Sequence, residues 1–305
     1  DKVVGWAESR GWGIPARAFL VCLLAAIVLW QIYLFTSLLK FVDRNDTRGG
    51  FNVPAKYHIR AAKAVKRLSQ NARVIVLSQG DNPDWDEIPG IYDFLLRPGI
   101  NPRFVDYQEA LIFPLTDALY LLAPDDPPAL SFLDEYAQEL KAERIPICGG
   151  PDTLRFYRFD EETLPAIKAS LTGEGMPIAL DNGAEILGYE LEENIEPGDT
   201  LPLVLYWTVQ ARPSARYHFF NHLVDDNERM WGQKDGPGYP PGPWHEGDVV
   251  ISWFDIAIPL DVPPGRYWVL TGMYTYPEMI RASVLDEQGQ PVSDALHLGP
   301  IEIGH

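Results

Sequence analysis

Two cysteines among 305 residues are too few for a disulfide framework. Cys22 lies in an apolar run and Cys148 at the end of a short β-rich segment, so no bridge between them is expected. Excess positive charge is also missing. With 43 Asp and Glu against 25 Lys and Arg, the net charge is −18. That excludes the phosphate-neutralising footprint of a nucleic-acid binder. Neither a G-x-G-x-x-G fingerprint nor a P-loop occurs, so the sequence shows no nucleotide loop. Long apolar runs are scarce, and only one has the length of a membrane span.

That run is AFLVCLLAAIVLWQIYLFTSLL, Ala18 to Leu39. It holds no charge and is bracketed by Arg17 and Lys40. As a helix it is about 33 Å long, enough for a bilayer core. It is too long for the apolar region of a signal peptide, and no A-x-A cleavage site follows. Trp6 and Trp12 suit a headgroup belt before it. The chain begins with Asp1 rather than Met, as a processed chain or the tail of a longer protein does.

Charge is divided unevenly along the chain. Residues 1–67 hold 11 Lys and Arg against 4 Asp and Glu, which leaves 14 against 39 in the remainder. A basic membrane-proximal end thus precedes an acidic body. Taken alone, the excess of Lys and Arg after the span places that body in the cytoplasm.

Two soluble segments follow. Phe51 to Ser69 has helical spacing, with Pro54 in the first turn and a basic face suited to anionic headgroups. Ala72 to Gly80 reads as a buried strand, Gly90 to Leu96 as a helix, and Arg103 to Tyr107 and Ala118 to Leu122 as strands. Leu130 to Glu143 reads as helix, Ile145 to Cys148 as a short strand, and Arg155 to Phe159 as a last edge strand. The alternation predicts a small α/β domain with a partly parallel sheet. Its SQGDNPDWDEIPG loop carries Asp81, Asp84, Asp86 and Glu87 where such folds place ligands, or where carboxylates simply solvate a loop.

Beyond Ala169 the texture becomes β. Glu185 to Leu191, Leu201 to Val209, Tyr217 to Val224, Val249 to Ile258, Gly265 to Tyr274 and Ile280 to Asp286 are strand-like, with turns such as EPGD, PPGR and EQGQ between several of them. Leu201, Leu203, Leu205 and Trp207 share one face at period two. An antiparallel β-sandwich of immunoglobulin or jelly-roll type is expected. The fold class is therefore an α+β multidomain membrane protein: juxtamembrane 1–17, transmembrane helix 18–42, small α/β domain 51–170 and C-terminal β-sandwich 174–305.

The order LGYEL, EPGDTLPLVLYWTV, YHFFNHLVD, PGPWHEGDVV and FDIAIPLDVPPGRYWVLTGMY resembles the C-terminal extracytoplasmic tail of bacterial family 39, protein O-mannosyltransferase-like membrane glycosyltransferases. ARVIVLSQG and GGPDTLRFYRF are similar to the membrane-proximal part of such tails. The resemblance implies a large domain outside the cytoplasm, at the cell membrane. It also implies a parent that uses a polyprenyl-phosphate sugar. That family's catalytic acidic motif lies in an early loop of a multi-span body, which this chain does not match, so no catalytic residue carries over. A single-pass accessory or interaction subunit is expected, non-catalytic by itself. Its expected partners are the lipid bilayer, other membrane-protein subunits and a glycan, without nucleic acid. The alternative is the C-terminal part of such a glycosyltransferase.

Tyr217 to Val250 concentrates the remaining candidates. His218 and His222 lie about 13 Å apart on a strand, too far to share a zinc ion. Asp225, Asp226, Glu228 and Asp235 are hard oxygen donors for a structural calcium ion, the one cofactor considered. Trp231, Tyr239 and Trp244 are candidates for a glycan-stacking platform, or for the closure of one end of the sandwich.

Overall fold

A computed structural model describes residues 13–47, 52–124, 127–238 and 244–304. The chain divides into two compact units, 1–58 with 147–150, and 59–146 with 151–305.

In the first unit, α1 runs from Gly13 to Arg44. From Ala18 to Arg44 it is long and apolar enough to cross a membrane, and none of its most apolar window is buried against protein. Phe19, Trp30, Tyr33 and Phe35 all stand exposed. The Thr36 hydroxyl donates to the Ile32 carbonyl at 2.9 Å, a bond within the helix itself. Helix α2, Ala55–Leu68, begins directly after Pro54, and from Ile59 it belongs to the second unit. The Lys56 ammonium meets Asp43 at 2.8 Å, and Tyr57 accepts the Cys148 N–H at 2.9 Å.

The second unit starts as an α/β layer. Its elements are β1 (Arg73–Ser78), α3 (Glu87–Leu96), β2 (Arg103–Asp106), β3 (Ala110–Phe113), β4 (Ala118–Leu122), α4 (Ala129–Tyr136), β5 (Gln138–Glu139), β6 (Ile145–Pro146), β7 (Thr153–Phe159) and α5 (Leu164–Leu171). The sheet order is β2-β1-β4-β7-β5, with β6 also on β7. β2, β1 and β4 are parallel, and β7 runs antiparallel to β4. β1 is buried from Val74 to Ser78, which is why its sequence is a continuous apolar run rather than an alternating one.

Two expectations need correcting, and one strand was not foreseen. Helix α4 stops at Tyr136 because Ala137 turns extended and Gln138–Glu139 pairs with β7. β7 is an interior strand, flanked by β4 and by β5 and β6. ALIF, residues 110–113, is a strand that the spacing did not reveal, and it belongs to another sheet.

That other sheet is one of two five-stranded sheets, built from β8 (Ile178–Ala179), β9 (Ala184–Leu191), β10 (Asn194–Ile195), β11 (Thr200–Val209), β12 (Tyr217–Asp225), β13 (Met230–Gln233), β14 (Val249–Ala257), β15 (Gly265–Thr275) and β18 (Leu296–Ile303). β16 (Val284–Leu285) and β17 (Pro291–Ser293) form a small hairpin. The orders are β3-β14-β11-β9-β8 and β10-β18-β15-β12-β13. They pack face to face: Trp207 of one sheet meets Phe219 of the other at 5.5 Å, and Phe219 meets Phe254. Leu201, Leu203, Leu205 and Trp207 are buried on one face of β11, as their period requires.

The expected separation of 51–170 from 174–305 is bridged by β3. Its residues pair with β14 from Ala110↔Ser252 to Phe113↔Val249. The Tyr120 hydroxyl donates to the Ile112 carbonyl at 2.6 Å, and Phe113 packs on Tyr120, Tyr136 and Phe159. Arg103 reaches Asp248 at 2.7 Å, where the Asp248 side chain is only 2% exposed. A buried pair of this kind is costly to break, because removing one partner strands the other charge. One hydrophobic core runs through both layers.

Candidate functional site

The first candidate lies at the carboxyl end of the parallel strands. The chain winds from β1 to β2 on one side and reaches β4 on the other, so the winding reverses at β1. Open α/β sheets receive ligands at such a reversal. Here the loop after β1 is built by its own carboxylates. Asp86 Oδ2 accepts the N–H groups of Asp81 and Asn82 at 3.0 and 2.8 Å. Asp106 accepts the N–H of Gly80 and of Gln108, each at 2.9 Å. Gly80 adopts φ +78, where a side chain would be strained and would run into Asp86. Asp84 and Glu87 are exposed.

Asp81 is the exception. Burial, then the charges of Glu109, Asp106 and Asp86, push its carboxyl up to about 7. A carboxyl poised there exchanges a proton in the neutral range and donates a hydrogen bond below it. The sequence placed four acids in this loop but carried no sign of which one would be desolvated. Asp106 and Glu109, on the next strand and turn, supply two of the three charges responsible.

The second candidate is the stretch from Tyr217 to Val250. Strand β12 turns Phe219, Asn221 and Leu223 into the core and His218, Phe220 and His222 to the outer face. On that face His218 stacks flat on Tyr276, centroids 4.5 Å apart. Arg281 covers the Phe220 ring at 4.3 Å. His222 Nε2 lies 3.5 Å from Asp235, and the Tyr274 hydroxyl donates to the same carboxylate at 3.2 Å. Burial lowers the pKa of both histidines and so favours neutral imidazoles. Period-two reading of β12 places His218, Phe220 and His222 together. Their partners Asp235, Tyr274 and Tyr276 come from separate elements and were not foreseen.

The proposed calcium ligands do not converge. Asp225 closes the β12–β13 turn, accepting from the N–H groups of Asn227 and Arg229 and from Trp231 Nε1 at 3.0 Å. The Trp231 hydrogen bond, with those backbone donors, holds its carboxyl below the usual range. Asp226 and Glu228 are exposed in the turn, while Asp235 lies beyond the far end of β13 beside Tyr274. Among the described residues no three His, Cys, Asp or Glu side chains are placed to hold a metal ion.

The two described residues of the aromatic platform, Trp244 and Trp231, do not form an exposed pair. Trp244 is 8% exposed and lies 5.0 Å from Trp207, edge to face, inside the core. Trp231 is half-buried under the Arg229 guanidinium, 4.1 Å from its ring. Tyr239 lies outside the described residues. Trp207 Nε1 donates to Ser252 Oγ at 2.9 Å, and Ser252 donates on to the Gly238 carbonyl. Gly236 pairs with Phe219, so the segment entering the loop is stitched to the sheet.

No protein-family profile matches the chain, and no curated protein matches it in sequence. Among solved structures it is similar to a β-glucuronidase from glycoside hydrolase family 2, at 9% identity and TM-score 0.23, over 44% of this chain and 13% of that one. It is similar to a CARDB domain from Pyrococcus furiosus, at 8% identity and TM-score 0.23, over 44% of this chain and 90% of that one. A family 123 glycoside hydrolase from Clostridium perfringens matches at 12% identity and TM-score 0.22, over 36% of this chain and 22% of that one. The chain thus spans only a small part of the two hydrolases, and likeness at these scores assigns neither fold family nor function.

Proposed function

We propose that the chain is a membrane-anchored accessory or interaction subunit, non-catalytic by itself. Its β-rich body lies outside the cytoplasm and binds a partner protein or a glycan. The anchoring rests on α1, whose most apolar window within Ala18–Arg44 has no buried residue among the described residues. The observation that carries the interaction is the turn after β15. It exposes Tyr276, Met279 and Ile280 together, at 48%, 61% and 65%. Large apolar side chains exposed side by side in one turn offer an area that a partner would cover.

Two measurements test this. The protein in its native membrane should migrate in native gels well above its 34.3 kDa chain mass. Met279→Asp with Ile280→Asp should return it to monomer size without lowering Tm; unchanged migration refutes the surface. Protease added to sealed, right-side-out cells should digest the body, and full protection until lysis reverses the topology.

A second reading is the C-terminal part of a polyprenyl-phosphate-sugar-dependent glycosyltransferase. It is favoured by the order of the segments quoted above, which fall on β9, β11, β12, β14 and β15. A covalent chain mass far above 34.3 kDa, measured on the denatured native protein, would favour it, whereas a large assembly of 34.3 kDa chains would not. Sugar transfer by the purified chain would overturn the non-catalytic reading.

A further inference from the structure

Helix α2 has two unlike faces. Tyr57, Ala61, Ala64 and Val65 are buried. Arg60, Lys63 and Lys66 are exposed on the opposite side, together with Ile59. Arg67 continues that side but is held by Glu143 at 2.5 Å. Arg60, Lys63 and Lys66 form no ion pair among the described residues. Three like charges within two turns repel one another and cost stability unless something anionic faces them.

The chain ties the start of this helix to the end of α1. Ten residues, 45–54, separate α1 from α2. Fully extended they span at most about 35 Å. The first turn of α2 is tied closer still by the Lys56–Asp43 pair at 2.8 Å. Beyond residue 67 the chain is strongly acidic, with 39 Asp and Glu against 14 Lys and Arg. An anionic surface repels such a body and attracts only its basic element.

We propose that the exposed face of α2 docks on the anionic lipid surface of the bilayer that α1 crosses. Arg60, Lys63 and Lys66 meet the headgroups, and Ile59 sits among them at the interface. This rests on the anchoring reading above. The attraction is electrostatic, so it scales with the fraction of anionic lipid and disappears in high salt, where the Debye length falls from about 10 Å at 0.1 M to about 3 Å at 1 M.

The test uses the full chain in nanodiscs of phosphatidylcholine, with or without 30% phosphatidylglycerol as the probe surface. A water-soluble amine reagent is applied and modification is read per lysine by mass spectrometry. Lys234, exposed next to β13 on the β-sheet body, is the internal reference. At 0.1 M salt, modification of Lys63 and Lys66 relative to Lys234 should fall at least about three-fold on adding phosphatidylglycerol, and recover at 1 M. An anionic surface also lowers the local pH and slows any amine near it. The variant Arg60→Glu with Lys66→Glu separates the two effects, because it leaves the lipid unchanged yet should restore Lys63 labelling. Equal labelling in both lipids, or protection that survives the variant, overturns the proposal. Alkaline carbonate extraction from vesicles is the separate control. Release of the chain overturns the anchoring reading and this inference with it. Retention with unprotected lysines overturns the inference alone.

Discussion

Two acid-rich stretches of this protein use similar residues to opposite ends. The loop after β1 carries Asp81, Asp84, Asp86 and Trp85; the stretch from the β12–β13 turn carries Asp225, Asp226, Asp235 and Trp244. In the first, the tryptophan is 87% exposed, and burial followed by crowding from other carboxylates pushes the Asp81 carboxyl up to about 7. In the second, the tryptophan is in the core and Asp225 is held ionised by Trp231 and two backbone N–H groups. Composition is shared; what differs is which donors and charges the fold brings to each side chain. An acidic loop is therefore not a site until its hydrogen bonds are counted.

The contrast is broken most forcefully at Trp244. Trp244→Ala should cost about 3–5 kcal/mol, the usual range for emptying an aromatic from a core. A clear fall in Tm by calorimetry is expected. Loss of glycan binding at unchanged Tm would restore the platform reading.

A smaller effect is expected at Asp81. Its folded-state carboxyl is raised, so its contribution is full below the unfolded value near 3.9 and is lost as pH rises through about 7. Asp81→Asn should therefore match the parent at pH 4 and exceed it at pH 8. Allowing for solvent screening of a partly exposed group, the gain is about 1 kcal/mol. Denaturant titrations at the two pH values check it, and a variant weaker at pH 8 would refute the assignment.

Asp225 should show the reverse sign. Its depressed carboxyl stabilises the fold above its unfolded value and loses that as pH falls through the folded one. Asp225→Asn should melt lower than the parent at pH 7, and the two curves should converge in acid. Equal melting at pH 7 would show that the turn does not depend on the charge.

The smallest effect is the mirror of the first. Trp85→Ala should change stability by no more than about 0.5 kcal/mol, because its ring buries little. Added chelator should leave Tm where it is. A fall reversed by calcium would mean that the second stretch gathers its carboxylates around an ion after all.

Much of the architecture was legible in the residues. Ala18 to Leu39 announces a helix for apolar surroundings, because 22 uncharged residues have no solvated face to offer. The period-two face of β11 and the apolar runs of β1 and β4 were readable because side-chain direction is a local property of the backbone. Tertiary structure alone decided the partners. ALIF is too short to show a period, and its place on β14 is a pairing across more than 130 residues. Leu130 to Glu143 keeps helical spacing past the point where β7 captures Gln138 and Glu139. The same holds for the candidate sites. The sequence names Asp81, His218, Asp225 and Asp235, but the groups that meet them, Glu109 and Asp106, Tyr276, Trp231 and Tyr274, come from other elements, and only the fold brings them together.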